Sequence, residues 1–368
     1  MRDLRCGRCG QHLTFENSIC LSCGSRLGFS PEAGVLLAIP DAAGLPGEVV
    51  LAGQYSLCAN LDVAGCNWLV ALDSAGAGSL CRSCRLTRTR PNDADVSAMT
   101  QFASAERAKR RLIAELIELQ LPIVGRDTDP EFGLAFDLLS SSVEPVTTGH
   151  ENGVITLDLA EVDDVHRERV RTSMDEPYRT LLGHFRHETG HAYFHRLVGA
   201  WPAASAEFRG LFGDPDADYQ AALDAHYTAG AGPWQEHHVS AYAAMHPAED
   251  WAETFAHYLH IRDTLDTAAA FGLAPAAAGF DRRSSTFDDL IAMWLPLAWS
   301  LNMVNRSMGR EDLYPFVLAP AVLRKMGFIH TRVTDVNNVT ALTMAHEQGE
   351  HPGRELLSTS PLGSDQQI

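Results

Sequence analysis

The sequence predicts an α+β fold in two parts: a small cysteine-rich module, then a larger domain in which a few strands precede long helices. Three observations carry this. All 8 cysteines fall before residue 85. His187-Glu188-Thr189-Gly190-His191 lies in a run that is apolar at helical spacing. Two stretches ahead of it, 133–139 and 153–159, have the short β-branched and apolar pattern of strands.

The chain has 368 residues, 45% of them hydrophobic, enough for one substantial core beside a small module. No apolar run reaches the roughly 18 residues a spanning helix needs, so no membrane partner is expected. Residues 1–92 hold 8 Arg against 7 Asp or Glu, a balance of +1, so the formal charge of −18 leaves −19 on the rest. Arg82, Arg85, Arg88 and Arg90 cluster beside the last cysteines. An acidic bulk repels phosphate, and these arginines are expected to offset a metal–thiolate charge rather than bind nucleic acid.

The module comes first. Cys6-x2-Cys9 and Cys20-x2-Cys23, backed by Gly7, Gly10 and Gly24, have the spacing of two knuckles around one tetrahedral zinc ion. Cys58-x7-Cys66 and Cys81-x2-Cys84 supply donors for a second ion. No signal-peptide pattern stands at the N-terminus, so a cytoplasmic chain is expected, with metal-bound rather than disulfide-linked cysteines. Residues 30–57, rich in Gly, Pro and Ala, read as an irregular insertion or short hairpin.

Residues 104–120 alternate charge with Leu112, Leu116, Ile117 and Leu119, the pattern of a surface helix. The strands at 133–139 and 153–159 come next, then a helical linker over 163–174. Segment 153–159 is the candidate edge strand for docking an extended substrate. Asp175 and Pro177 suit the start of the next helix, whose Tyr178, Leu181, Leu182, Phe185, Tyr193, Phe194, Leu197 and Val198 supply a broad apolar surface. Pro247 opens another, with Trp251, Phe255, Tyr258 and Leu259 to pack it. Trp294, Trp299 and Tyr314 read as core. The segment after about residue 331, rich in Thr, Ser, Glu and Gln toward its end, reads as a flexible tail.

The chemistry lies in the first of these two helices. Residues four apart share a helix face, so His187 and His191 can reach one zinc ion while Glu188 serves as general base toward its water. Gly190 costs about 1 kcal/mol there relative to Ala, which points to close approach of another backbone. A third ligand must come from elsewhere. Phe194 and Leu197 exclude the metzincin continuation. His195 is about 12 Å along the axis from His187, at about 1.5 Å per residue, and cannot join both histidines; a polar core or supporting role is expected. Glu249 and Glu253, four apart on the second helix, fit better: Glu249 as ligand, Glu253 holding the other N–H of a ligand imidazole. The reverse assignment stays open.

These residues carry a resemblance. HETGH followed by Tyr242, then Glu249-Asp-Trp-Ala-Glu253, resembles the Glu-ligand zincins, the branch that includes anthrax lethal factor. Over residues 1 to about 330 the chain resembles bacterial zinc-binding metallopeptidases with an N-terminal zinc ribbon, through CGRCGQ, CANLDVAGCNWLV, CRSCRLTRTRP, DEPYRTLLGHFRHETGH and HPAEDWAETFAHYLH. That implies a zinc-ribbon module over 1–95, a zincin-like metallopeptidase domain over 96–330, and a tail over 331–368. It implies zinc on His187, His191 and Glu249, the base on Glu188, and an oxyanion donor at Tyr242. His195 departs from the acidic residue usual in that family. The expected activity is hydrolysis of a peptide or protein with one catalytic and two structural zinc ions, the ribbon being free to bind a protein partner. The alternative is a zinc-ribbon binding or scaffold protein with a zincin fold and little turnover, one that could act near nucleic acid.

Overall fold

The computed structural model describes residues 2–39, 49–50, 54–72, 78–142, 144–173, 176, 178–230, 232–274 and 285–347. The N-terminal region is built from short antiparallel ribbons. Strands β1 (Leu4–Arg5) and β2 (His12–Leu13) pair around the Cys6–Cys9 turn, and β3 (Arg26–Ser30) pairs with β4 (Val35–Ile39). Three further strands, β5 (Val49–Val50), β6 (Tyr55–Leu57) and β7 (Leu69–Ala71), form a sheet with β6 in the middle and helix α1 (Leu61–Ala64) between β6 and β7. The insertion expected over 30–57 therefore contains β4 and the antiparallel pair β5–β6; its residues 40–48 and 51–53 lie outside the described ones. So few residues make a core because Phe15, Phe29 and the fully buried Trp68 pack closely, with ring centroids 4.7 to 6.3 Å apart.

The cysteine-rich module is continuous with the larger domain. Directly after Cys84–Leu86, β8 (Thr87–Thr89) enters the second sheet, parallel to β9 (Ala135–Leu139). Between them runs α2 (Val96–Glu118), capped by Asp95 on the Ala98 amide. This helix, expected over 104–120 on the surface, starts earlier and is central: Phe102, Ala105, Leu112, Ile113 and Leu116 are buried, and so are Glu106, Lys109 and Arg110. Its alternating charges are satisfied internally. Lys109 bonds Glu106 at 2.5 Å and also Thr87, and Arg110 donates to the carbonyls of Ala64 and Gly65.

The sheet order is β10–β11–β9–β8, with β10 (Gly149–Glu151) antiparallel and β9 parallel to β11 (Val154–Asp158). Segment 153–159 is thus internal, correcting the edge-strand expectation. The reason is local: Asn152 and Gly153, at φ 46° and 84°, make a two-residue turn that folds the chain back one strand earlier. The edge is β10.

Helix α3 (Asp164–Ser173) leads to α4 (Leu181–Phe194), whose cap is Thr180, its hydroxyl accepting from the Gly183 amide at 3.0 Å. The start expected at Asp175 and Pro177 falls on residues outside the described ones, and Tyr178 precedes the helix, against the rings of His260 and Phe316. Then come α5 (Pro202–Phe212), α6 (Tyr219–Ala229), α7 (Pro247–Ala270), α8 (Phe287–Ser307) and α9 (Pro320–Glu347). Helices α4 and α7 meet at Gly190, where a Cβ would lie 3.0 Å from the Cα of Ala252 and 3.2 Å from its carbonyl oxygen. Close approach of another backbone explains that glycine. Trp251 locks the contact by donating to the Gly190 carbonyl at 2.8 Å.

Trp294 and Tyr314 are core, but Trp299 is 67% exposed on the outer face of α8, contrary to expectation. Helix α9 continues into the segment expected as a tail, because Val322, Met326, Ile329 and Val333 keep burying one face; from residue 348 the segment lies outside the described residues. Lys325 anchors this helix, reaching Asp250 of α7 at 2.5 Å and the His237 carbonyl at 2.7 Å. Both side chains are buried, so Lys325→Ala strands a carboxylate in the interior. The expected cost is about 3–5 kcal/mol, read as a fall of roughly 10 °C in melting temperature. A melt within about 2 °C of the parent would contradict the burial of this pair.

Candidate active site

The site is assembled where α4 crosses the first turn of α7. His187 and His191 stand one turn apart on α4, and Glu249 projects from the start of α7, a position fixed by Pro247 and by the His246 ring capping the Ala248 amide. His187 Nε2 lies 3.1 Å from Glu249 Oε2, His191 Nε2 lies 3.4 Å from the same oxygen, and the two Nε2 atoms are 3.2 Å apart. Donors at about 2.0–2.1 Å from one tetrahedral zinc ion stand about 3.3 Å apart. The three atoms fit that triangle.

The two glutamates of α7 are separated by the structure. Glu253 sits behind the imidazole, 2.7 Å from His187 Nδ1, and takes a second bond from Ser240 at 2.8 Å. With Nδ1 donating to Glu253, Nε2 keeps its lone pair for a metal. Burial opposes ionisation of Glu253, but His187 outweighs it and holds the carboxyl at about 2. For Glu249 burial is likewise overcome, by His187 and His191, and its carboxyl lies well below the usual range.

Glu188 is buried beside them, 9% exposed. Burial raises its carboxyl, with Glu249 and Glu253 adding to the effect and His187 and His191 opposing it. A carboxyl raised this way is a better proton acceptor and donor near neutrality than a solvated one. The Tyr242 ring lies 6.1 Å from that of His187, and burial with the nearby Glu249 charge keeps its hydroxyl protonated. His195 takes no part. It is exposed and stacks on Phe132 at 3.9 Å, where α4 gives way to the π turn His195–Gly199, so neither the polar core nor the supporting role expected of it holds.

Three residues of the site carried no signal strong enough to find them. The Tyr219 hydroxyl, from the first residue of α6, donates to Glu249 Oε1 at 3.0 Å. His150, on the edge strand β10, lies nearly parallel to His191 with ring centroids 6.0 Å apart, and its Nε2 accepts from the Gly153 amide at 2.8 Å. Burial first, and the His191 charge second, lower it to about 4, so it is neutral at pH 7. Ser240, the third, fixes Glu253. Of these only His150 had a sequence cue, since the Asn152-Gly153 turn would have placed its strand.

The cysteines form two further clusters. Cys6, Cys9, Cys20 and Cys23 bring their sulfurs together, as do Cys58, Cys66, Cys81 and Cys84. The Cys6–Cys23, Cys9–Cys20 and Cys66–Cys81 sulfurs are 3.6–3.7 Å apart; tetrahedral zinc at about 2.3 Å from each sulfur requires about 3.8 Å. The irregular spacing from Cys58 to Cys66 is taken up by α1, which ends in the left-handed Gly65. The buried cation beside the second cluster is Arg110. Arg88 bonds Asp137 and Arg90 bonds Asp93, so two of the four clustered arginines are taken up by carboxylates.

Residues 98–332 match the model of a family described as "Putative zinc-binding metallo-peptidase", and residues 3–95 match a zinc-ribbon domain. Proteins of Mycobacterium bovis and of two strains of Mycobacterium tuberculosis, each described as uncharacterized, are 63% identical over 340 residues, covering 91% of this chain and 96% of theirs. No solved structure matches the chain.

Proposed function

We propose, from the premise that this chain belongs to the zinc-binding metallo-peptidase family, that it cleaves peptide bonds at the His187, His191 and Glu249 site with Glu188 as general base. The observation that carries the reading is the convergence of His187 Nε2, His191 Nε2 and Glu249 Oε2 on one point. Zinc held there supplies a Lewis acid and an acidified water. Glu188 takes the proton and passes it to the leaving amine, while Tyr242 donates to the developing oxyanion, a contribution of about 3 kcal/mol for one donor. The edge strand β10, beside α4 and carrying His150, is the surface on which an extended substrate adds as a further strand.

The two cysteine clusters take one structural zinc each, giving three per chain. Residues 1–95 and 96–330 are the two functional units, although they share β8 and a common core, and the ribbon offers a surface for a protein partner. Among the described residues no helix is long and apolar enough to cross a membrane. Cysteines in metal-ligand spacing suit a reducing compartment, the cytoplasm.

The glutamates test the site. Glu249→Ala removes the third donor, so one zinc per chain is lost and chelator-sensitive hydrolysis of a mixed peptide library disappears. Glu253→Ala leaves all three donors, so that zinc stays, with affinity lower by roughly 10- to 100-fold. Full zinc content in the Glu249 variant, measured by elemental analysis, refutes the assignment.

A further inference from the structure

Glu249 has two oxygens, and the structure gives them different tasks. Oε2 faces both imidazole Nε2 atoms, at 3.1 and 3.4 Å, whereas Oε1 accepts the Tyr219 hydroxyl at 3.0 Å. We infer that Tyr219 is a positioning residue that restricts Glu249 to a single-oxygen metal ligand, so that the site keeps an open coordination position. The inference rests on the peptidase reading above, because it takes Glu249 as a ligand.

Tyr219 and a metal ion compete for the same lone pairs. A carboxylate beside a divalent ion can bind through one oxygen or rotate slightly and bind through both. A phenol donating to the outer oxygen makes that rotation cost a charge-assisted hydrogen bond. A three-ligand site that must bind water and substrate needs the position a second carboxylate oxygen would fill. The placement of the hydroxyl is set by the chain around it: Asp218 caps α6 on the Ala221 amide, and the His246 ring, 5.2 Å from that of Tyr219, ties the preceding turn through a bond to the Ala217 carbonyl. Helix α6 buries none of its described residues; it is held over the site by this short polar tether at its N-terminal end and by the His226 ring, 6.3 Å from that of Tyr242. Tyr219 is itself 41% exposed, and removing its hydroxyl leaves no hole in the core.

Cobalt substitution reads the coordination number directly. With zinc left in the two cysteine clusters and cobalt placed at the histidine site, the visible band of Tyr219→Phe is expected to lose intensity relative to the parent. Four-coordinate cobalt absorbs strongly, and higher coordination absorbs weakly. Metal affinity at that site is expected to weaken by roughly 10-fold, as it does when an outer partner of a ligand is lost. Tyr227→Phe, which alters an exposed tyrosine of the same helix, should leave both readings unchanged. An unaltered band in Tyr219→Phe overturns the inference whatever the affinity does. Failure of the parent itself to take cobalt at the histidine site, with Glu249→Ala indistinguishable from it, overturns instead the peptidase reading on which the inference stands.

Discussion

Glu188→Gln should lower hydrolysis by roughly 10² or more while zinc content and melting temperature stay at the parent values. Both the shape of the site and its chemistry lead to that expectation. Glu188 is 9% exposed, beside the two histidines on α4, and it makes none of the donor contacts that converge at the candidate metal point. Glutamine matches it in size and keeps hydrogen bonding, so packing and metal binding have no reason to change. What it lacks is a basic oxygen. Burial and the two neighbouring carboxylates raise the Glu188 carboxyl, the direction a group needs if it is to take a proton and return it within one turnover. The variant should therefore hold substrate without consuming it, and proteins retained by it but cleaved by the parent would identify the specificity. Equal behaviour of parent and variant, with zinc present in both, would leave the scaffold reading in place of the peptidase.

The features legible in the sequence were those set by spacing along one helix. HETGH gives two imidazoles on one face, Glu249 and Glu253 give two carboxylates on another, and Gly190 announces the contact between them at Ala252. Once α4 and α7 cross there, Glu249 and Glu253 fall on opposite nitrogens of His187 by the rise of one turn. Contacts between segments with no shared pattern were not legible. Tyr219 reaches Glu249 from 30 positions away, at the start of a helix whose preceding Asp and Pro residues mark only a loop. His150 depends on the Asn152-Gly153 turn, which shifts the sheet edge from β11 to β10. Alternating charge in α2 read as solvent-facing because pattern does not reveal that Lys109 meets Glu106 and Thr87 inside the molecule. The same blindness made Trp299 core by composition when its helix position faces outward.

Paired substitution of Cys81 and Cys84 by Ser should abolish cooperative folding of the whole chain, not of the ribbon alone. A structural zinc contributes an apparent 10–16 kcal/mol, roughly, as large as the full stability of an ordinary domain, about 5–15 kcal/mol. At this cluster the loss cannot be confined. Cys58, Cys66, Cys81 and Cys84 are all at most 1% exposed, and Arg110 and Glu106 of α2 are buried beside them. Strand β8 leaves the cluster directly into the sheet that supports β10, and α2 passes the disturbance to α4 through the buried pair of Glu115 with Arg186, the residue next to His187. The first cluster differs in kind. Cys9 is exposed and Cys23 partly so, which places it at the rim. Substituting Cys6 and Cys9 by Ser should therefore remove one zinc of three and lower the melting temperature, yet leave the zinc of the histidine site bound. Elemental analysis and a thermal melt of the two double variants decide the matter: a Cys81/Cys84 variant that melts near the parent and retains the histidine-site zinc would mean that the ribbon is an appendage and not part of the catalytic core.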